Sequence, residues 1–510
     1  MPITLTRIFH DVKAFICKRL GVFIFSLCLF VFSCTPPETY RYENIQREYA
    51  SRICKITSLP QETAGDETCG LKKPVSLTEA LRIARNNNPD ILMAVARIGQ
   101  ARSMIERSNA SFYPTLGFYT EYMQGDAPSA YLFKTIDQRM LPPGTNFNYP
   151  GWFENWESGI LAKLNLFNGG RDFLNKQMAE TGLSISEYDR QSVENVLVAS
   201  VIQTYYNALA AKEFIKTAEE SVKTVDSQLR VMKVRYASGG ALKSDILSLK
   251  VRLAQAQEAV VGRKNSLRIT EAALAKLLGV NPDTVTIQPE AEMPPARLPE
   301  DYDAGLTYAL GRRPELHKAR EQLIRSRMAV DLSRSGYLPR VDFQTRYYMD
   351  DPNFNYDRDR DNWTAAVFFN WDLFTGFSTK ADTKKAAAVL DEMLAADQKT
   401  VLSVKYEVKN AYLRLAEADE RLKVARSAVD TAEESLNLVK KQYEGGSATI
   451  TRYLEAELAR NWANISAIAA FYDKEKAMAE IGRAIGYWYD AFEKDQDMET
   501  DNKNREKETP

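Results

Sequence analysis

Residues Trp363 to Gly376, WTAAVFFNWDLFTG, decide the fold of this 510-residue chain. Trp363, Ala365, Val367, Phe369, Trp371 and Leu373 alternate with a second set that includes Thr364, Asn370 and Asp372. On a strand, side chains two apart share a face, so the run predicts a strand with one apolar and one more polar side. It closes on Leu373-Phe374-Thr375-Gly376, within a stretch from Asn353 to Thr509 that holds no proline. A strand that runs straight into a long proline-free segment predicts a strand followed by very long helices.

The same junction stands earlier as Leu166-Phe167-Asn168-Gly169, an offset of 373 − 166 = 207. Tyr236 recurs as Tyr443, and Leu278-Gly279 as Ile485-Gly486, at the same offset. Upstream of the junction the spacing differs. Asn88-Pro89 recurs as Arg313-Pro314 and Tyr113-Pro114 as Leu338-Pro339, both at 225. The first copy therefore holds 225 − 207 = 18 extra residues between those landmarks, the kind of insertion that a surface loop tolerates. Each copy reads as one helix, two strands, one very long helix, a glycine turn and a return helix. The expected organisation is residues 76–280 for the first copy, a proline-rich linker over 281–303, and 304–488 for the second.

The remaining strands alternate as well. Leu116, Phe118, Thr120 and Tyr122 share a face opposite Glu121. Ile160, Ala162, Leu164 and Leu166 alternate with Lys163 and Asn165, and Val341, Phe343, Thr345 and Tyr347 with Asp342, Gln344 and Arg346. The longer first hairpin is expected to leave a surface loop over Met123 to Glu157. Such strands suit either a lipid-facing barrel or a half-buried soluble sheet. The helices favour the first. Ile215, Ala218, Val222, Val225, Leu229, Met232 and Tyr236 step by three or four, and Leu422 to Tyr443 repeats the steps 207 residues later. This is a coiled-coil seam, stopped in each copy by Gly239-Gly240 or Gly445-Gly446 so that the chain can turn back. Four strands cannot close a barrel, for which about eight is the usual minimum. Open sheet edges are not tolerated in lipid, so strands in lipid mean a barrel shared between chains.

Composition narrows the function. With 67 Lys+Arg against 68 Asp+Glu there is no basic excess to suggest nucleic-acid binding. His10 and His317 are the two histidines, too few for a His-based triad or metal cluster, and no phosphate-binding loop or enzyme signature is found. No cofactor is expected. Arg7, Lys13, Lys18 and Arg19 precede an apolar run from Leu20 to Phe32, the pattern of a signal peptide over residues 1–33. Cys34, after Ser33, resembles the acylated cysteine of a bacterial lipobox, with Phe32 as a departure from that pattern. Lipidation at Cys34 is the expectation, and ordinary cleavage nearby is the alternative. Cys54 and Cys69, in an extension over 34–75, are expected to form a disulfide rather than remain free thiols. The charged tail, 489–510, is expected to be disordered.

These residues resemble the TolC-like outer-membrane efflux proteins, over roughly residues 75 to 488. Ser76-Leu77-Thr78-Glu79-Ala80-Leu81 with Asn88-Pro89 looks like the family's opening helix. Leu166 to Gly170 looks like its strand-to-helix junction, and Tyr236 to Gly240 with Asp245-Ile246-Leu247 like its helical tip. The order of these motifs, used twice, is more specific than any one of them. The resemblance implies a mainly helical chain that forms a homotrimer, a twelve-stranded membrane β-barrel continuous with an α-helical barrel. It implies the channel component of a tripartite efflux or type I secretion system. Its partners would be a periplasmic adaptor and an inner-membrane pump, and it would sit in the outer membrane with its tunnel in the periplasm. The family's pore-ringing acidic positions fall on Asp245, Arg452 and Glu455, where Arg452 departs from the acidic type. A non-spanning coiled-coil lipoprotein of the periplasm is the alternative function.

Overall fold

A computed structural model describes residues 41–47, 49, 74–283, 285–288, 298–355 and 358–489. The signal segment, Cys34, Cys54, Cys69 and the tail beyond Tyr489 lie outside the described residues. The chain divides into units of residues 1–68 and 69–510. In the first, residues 42–47 are helical; everything below concerns the second.

Each copy opens on two helices where one was expected. They are α1 (Leu77–Asn87) and α2 (Pro89–Asn109) in the first copy. Proline has no N–H to donate and pushes the residue before it out of the helical region. Asn88 is accordingly extended (φ −64°, ψ 127°), and its side chain accepts from Asp90 N at 2.8 Å to cap α2. Pro314 produces the same break in the second copy.

Between the opening helices and the long helices of the first copy lie β1 (Thr115–Gly125), a short helix α3 (Pro128–Asp137) and β2 (Phe153–Phe167). Then come α4 (Arg171–Ala237) and α5 (Lys243–Leu278). The second copy supplies α6 (Tyr302–Arg312), α7 (Pro314–Arg334), β3 (Arg340–Asp351), β4 (Asp361–Asn370), α8 (Ser378–Glu444) and α9 (Ile450–Ile485). The two long helices have 67 residues each and the two return helices 36 each. At 1.5 Å per residue, α4 and α8 are each about 100 Å long.

The four strands form one antiparallel sheet in the order β1-β2-β3-β4, so β2 and β3 join the two copies and β1 and β4 are its edges. Strand β4 stops at Asn370 rather than at Leu373, because Asn370 pairs with Arg340, the first residue of β3, and no strand lies beyond it. The register puts Phe118 opposite Ile160, Ile160 opposite Tyr347 and Tyr347 opposite Trp363. An apolar face thus runs unbroken across all four strands. The other face carries Tyr119, Glu121, Asn155, Glu157, Lys163, Asp342, Gln344, Arg346 and Asp350.

The cores lie along the helices. One surrounds Ile202, Tyr205, Leu274 and Leu278, and a second surrounds Leu316, Val404, Val408 and Ile485. Val75 pairs in parallel with Ile287, and the buried Tyr205 hydroxyl lies 3.0 Å from both Val75 O and Gln288 O. The start of the first copy and the start of the linker are thereby fixed on α4.

One contact shows how the duplication works. Asn88 Nδ2 donates to Leu277 O at 2.8 Å, tying the α1–α2 corner to the end of α5. In the second copy Arg313 Nη1 donates to Ala484 O, also at 2.8 Å. Residues 277 and 484 are 207 apart, so two different side chains satisfy the same orphan carbonyl of a helix end.

Candidate functional site

Two places carry the expected chemistry: the sheet and the far ends of the helical hairpins. The sheet's apolar face is open. Leu116, Phe118, Trp363, Val367 and Phe369 are all exposed. A row of large apolar side chains facing outward on an edge-to-edge sheet suits lipid rather than water. The opposite face is polar and internally bonded: Asn165 Nδ2 donates to Asp342 Oδ1 at 2.8 Å, and Arg346 Nε to Thr364 Oγ1 at 3.1 Å.

At the strand-to-helix junctions the backbone is left-handed at Gly169 and Gly170 (φ 71° and 81°), and at Gly376 and Phe377 (φ 62° and 67°). Phe377 occupies the place of Gly170, 207 residues on, in a conformation that side chains rarely adopt.

At the other end, the seam identified in the sequence closes in a tip core of Val225, Leu229, Met232, Leu249, Val439, Tyr443, Ile450 and Tyr453. Here α4 packs against α9, so the two hairpins stand side by side. The tyrosines that looked equivalent differ: Tyr443 is 9% exposed and Tyr236 is 46%. Tyr443 packs on Tyr453 with centroids 5.6 Å apart, whereas the position 207 residues before Tyr453 is Ile246. Burial raises the Tyr443 phenol above its ordinary value of 10; Arg235, lying over its ring, opposes the shift and Asp245 adds to it.

The turns use the predicted glycines unequally. Gly239 and Gly446 take positive φ, each 79°, whereas Gly240 and Gly445 do not. Asp245 sits just inside α5, where its Oδ2 accepts from Leu242 N at 3.3 Å. It is therefore a helix N-terminal cap whatever else it does. Arg452 and Glu455 are exposed on the first turns of α9, and Arg452 N donates to the Thr449 cap at 3.3 Å.

Sequence reasoning missed Glu457. It is fully buried between α4 and α9, and its Oε1 accepts from Ser221 Oγ at 3.2 Å and Asn461 Nδ2 at 2.9 Å. The signal was legible: Ile450, Tyr453, Glu457 and Asn461 step by three and four, a polar pair in an otherwise inward-facing stripe. His317 packs on Tyr188, with ring centroids 5.2 Å apart. Among the described residues no group of three or more His, Cys, Asp or Glu could hold a metal ion. No helix among them is long and apolar enough to cross a membrane, which leaves a β-barrel unaffected.

An amphipathic four-stranded sheet continuous with two helical hairpins about 100 Å long marks a channel-type outer-membrane protein rather than a globular enzyme. The family model described as "Outer membrane efflux protein" matches residues 80–280 and 306–487. The chain belongs to that family, whose members are outer-membrane efflux channels. It is 24% identical over 434 residues to the pyoverdine export outer membrane protein OpmQ of Pseudomonas aeruginosa, covering 80% of this chain and 85% of the relative. It is also 24% identical over 414 residues to the alkaline protease secretion protein AprF of the same organism, covering 80% and 83%. The CmeC outer membrane channel of Campylobacter jejuni superposes with a TM-score of 0.71 at 15% identity, covering 85% of this chain and 91% of that one.

Proposed function

We propose that three copies of this chain form one twelve-stranded barrel in the outer membrane, continuous with a helical tunnel in the periplasm. The assembly acts as the passive duct of a tripartite efflux or type I secretion system. The sheet carries this reading: it is apolar on one face, polar on the other, and open at β1 and β4. Lipid does not tolerate open edges. Two chains would supply eight strands, whose interior is filled by side chains; three supply twelve and leave room for a lumen. The helices also call for a neighbour on each side. Val251, Val261 and Ile269 on α5, and Leu402, Tyr406 and Leu413 on α8, are exposed large apolar residues on the outer edges of the two hairpins, where helices of the next copy would cover them.

The energy for transport would come from an inner-membrane pump, coupled through a periplasmic adaptor at the tips around Gly239 and Gly446. Acylation of Cys34 would add a lipid anchor. The relatives' names, pyoverdine export and alkaline protease secretion, suit a duct whose partners choose the cargo. Membrane extraction tests the reading: a barrel resists carbonate and shifts on gels when heated, whereas a peripheral lipoprotein without a barrel shows no heat-dependent shift.

Asp245, Arg452 and Glu455 are proposed to line the periplasmic constriction. Like charges from three copies repel one another and attract cations, whereas an Arg452/Glu455 ring can pair. Glu455→Gln and Arg452→Ala are both on exposed positions and should shift the reversal potential of single channels in opposite directions in a salt gradient. Unchanged conductance and ion preference in both would remove these residues from the pore.

A further inference from the structure

The 18 extra residues of the first copy build a structure of their own. The loop between β1 and β2 spans 27 residues, 126–152, and that between β3 and β4 only nine, 352–360. Both lie at the end of the sheet away from the long helices. The longer one contains α3, which folds back onto the polar face of the sheet instead of projecting from it.

Its attachments reach three of the four strands, β2, β3 and β4. Lys134 ion-pairs with Glu157 of β2 and, at 3.1 Å, with Asp350 of β3. Gln138 Nε2, just past α3, donates to Asn155 Oδ1 at 2.8 Å, and Asn155 Nδ2 donates to Asp350 Oδ1 at 2.6 Å. Asn362 Nδ2 of β4 donates to Asp137 O at 3.2 Å. Tyr119 of β1 donates to Glu157 Oε1 at 2.6 Å.

The acids are the informative part. Glu157 and Asp350 are directly opposite each other in the β2–β3 register and on the same face, and both are buried. Like charges placed directly across a strand pair are destabilising, and buried charges need partners. Arg346 Nη1 lies 3.8 Å from Glu157, and Lys134 is the cation that bridges both acids. Lys134 is held above the ordinary lysine value: burial alone would lower it, but the hydrogen bond to Glu157 and the charge of Asp350 outweigh that. The sheet is therefore built to receive α3. The side of α3 turned away from the sheet is apolar and open, with Phe133 at 66% and Ile136 at 42% exposure, and Met140, three residues past the helix, is 47% exposed.

We propose that α3 is a lid over the cell-surface mouth of the duct, latched by Lys134 onto the Glu157–Asp350 pair. Phe133, Ile136 and Met140 from the three copies face one another across the pore as an apolar constriction. A ring of this kind closes a pore by excluding water. The inference rests on the duct reading above, because it takes the polar face of the sheet as the lumen.

Whole-cell labelling of the full chain with a membrane-impermeant maleimide separates the two claims. The background carries Cys54→Ser and Cys69→Ser. One reporter is Gln344→Cys, on the polar face beneath the lid, and the other is Phe118→Cys, on the apolar face. With the lid intact Gln344→Cys should label slowly. Lys134→Ala should raise its rate by about tenfold, and Lys134→Arg should retain the slow rate. Phe133→Ala removes an exposed side chain outside the latch and should also speed labelling, so it decides the matter even where Lys134→Ala fails to fold. Equal Gln344→Cys rates in Phe133→Ala and the parent overturn the lid and leave the duct standing. Rapid labelling of Phe118→Cys, in the parent or the Phe133→Ala background, overturns the membrane placement of the sheet, and the lid with it.

Discussion

Gly279→Ala is expected to lower the melting temperature of the chain far more than Gly486→Ala, although both sit at the same place in the duplication. Both glycines end a return helix in the left-handed region, with φ of 69° and 78°. That conformation alone costs a residue with a Cβ about 1–2 kcal/mol, and both variants carry it. What surrounds them differs. A Cβ at Gly279 would lie 2.3 Å from Asn87 O and 2.8 Å from Asn87 C. These are backbone atoms at the α1–α2 corner, itself fixed by Asn88 Nδ2 on Leu277 O, so no rotamer change relieves the clash. At Gly486 the nearest atom is Arg313 Cα at 3.5 Å, an ordinary contact. The total at 279 should reach about 4 kcal/mol, against about 1–2 kcal/mol at 486. Thermal melts followed by circular dichroism check this, and equal losses in the two variants would show that the corner yields.

Arg313→Ala should cost about 3 kcal/mol, the low end of the range for breaking a buried pair, because the acids it holds are partly exposed and each keeps a second partner. The guanidinium is buried and holds Glu315 at 2.8 Å, Glu407 at 3.0 Å and the end of α9 through Ala484 O at 2.8 Å. Its loss leaves Glu407 with Arg483 at 3.4 Å and Glu315 with Ser192 at 2.7 Å. The counterpart change Asn88→Ala removes neutral hydrogen bonds only and should cost about 1–2 kcal/mol. The pH dependence carries a sign. Burial alone would raise the Glu315 carboxyl, but Arg313 and Ser192 outweigh it and hold the group below its ordinary 4.5. A depressed folded value contributes stability above 4.5 that is lost as pH falls through it. In Arg313→Ala the charge that opposes burial most is gone, while Ser192 and the backbone still hold the carboxylate, so less stability is tied to its ionisation and the variant's deficit relative to the parent should shrink on acidification. A deficit independent of pH would contradict that role. Urea titrations at neutral and acidic pH measure it.

Which parts of this were legible in the sequence follows from what each element rests on. Strands such as Trp363 to Asn370 and helices such as α8 announce themselves by period and by the absence of proline, because their stability comes from repeated burial of one face. The break at Asn88-Pro89 was written in the same letters, yet a proline at the first turn of a helix and one that ends a helix differ only in what caps them. Helix α3 escaped for another reason. Its apolar residues Phe133 and Ile136 face away from the sheet and its anchor is Lys134, so apolar periodicity pointed to no packed face. The insertion was counted correctly and its fold was not. At the tip, the family resemblance points to Asp245 as a pore residue, and its contact with Leu242 N adds a cap that the resemblance does not separate from a pore role. Glu457, buried two residues after Glu455, shows that a helix face cannot be assigned from residue type without its neighbours.

The central claim is that the open edges of the sheet meet between copies. Cysteines walked along β1 from Thr115 to Tyr119, paired with Ala365→Cys on β4, test it in membranes when Cys54 and Cys69 are serine. One register should give efficient oxidative cross-links, and the denaturing-gel ladder should stop at three chains. No inter-chain product at any register, or a ladder that runs past three, would contradict a closed three-chain barrel.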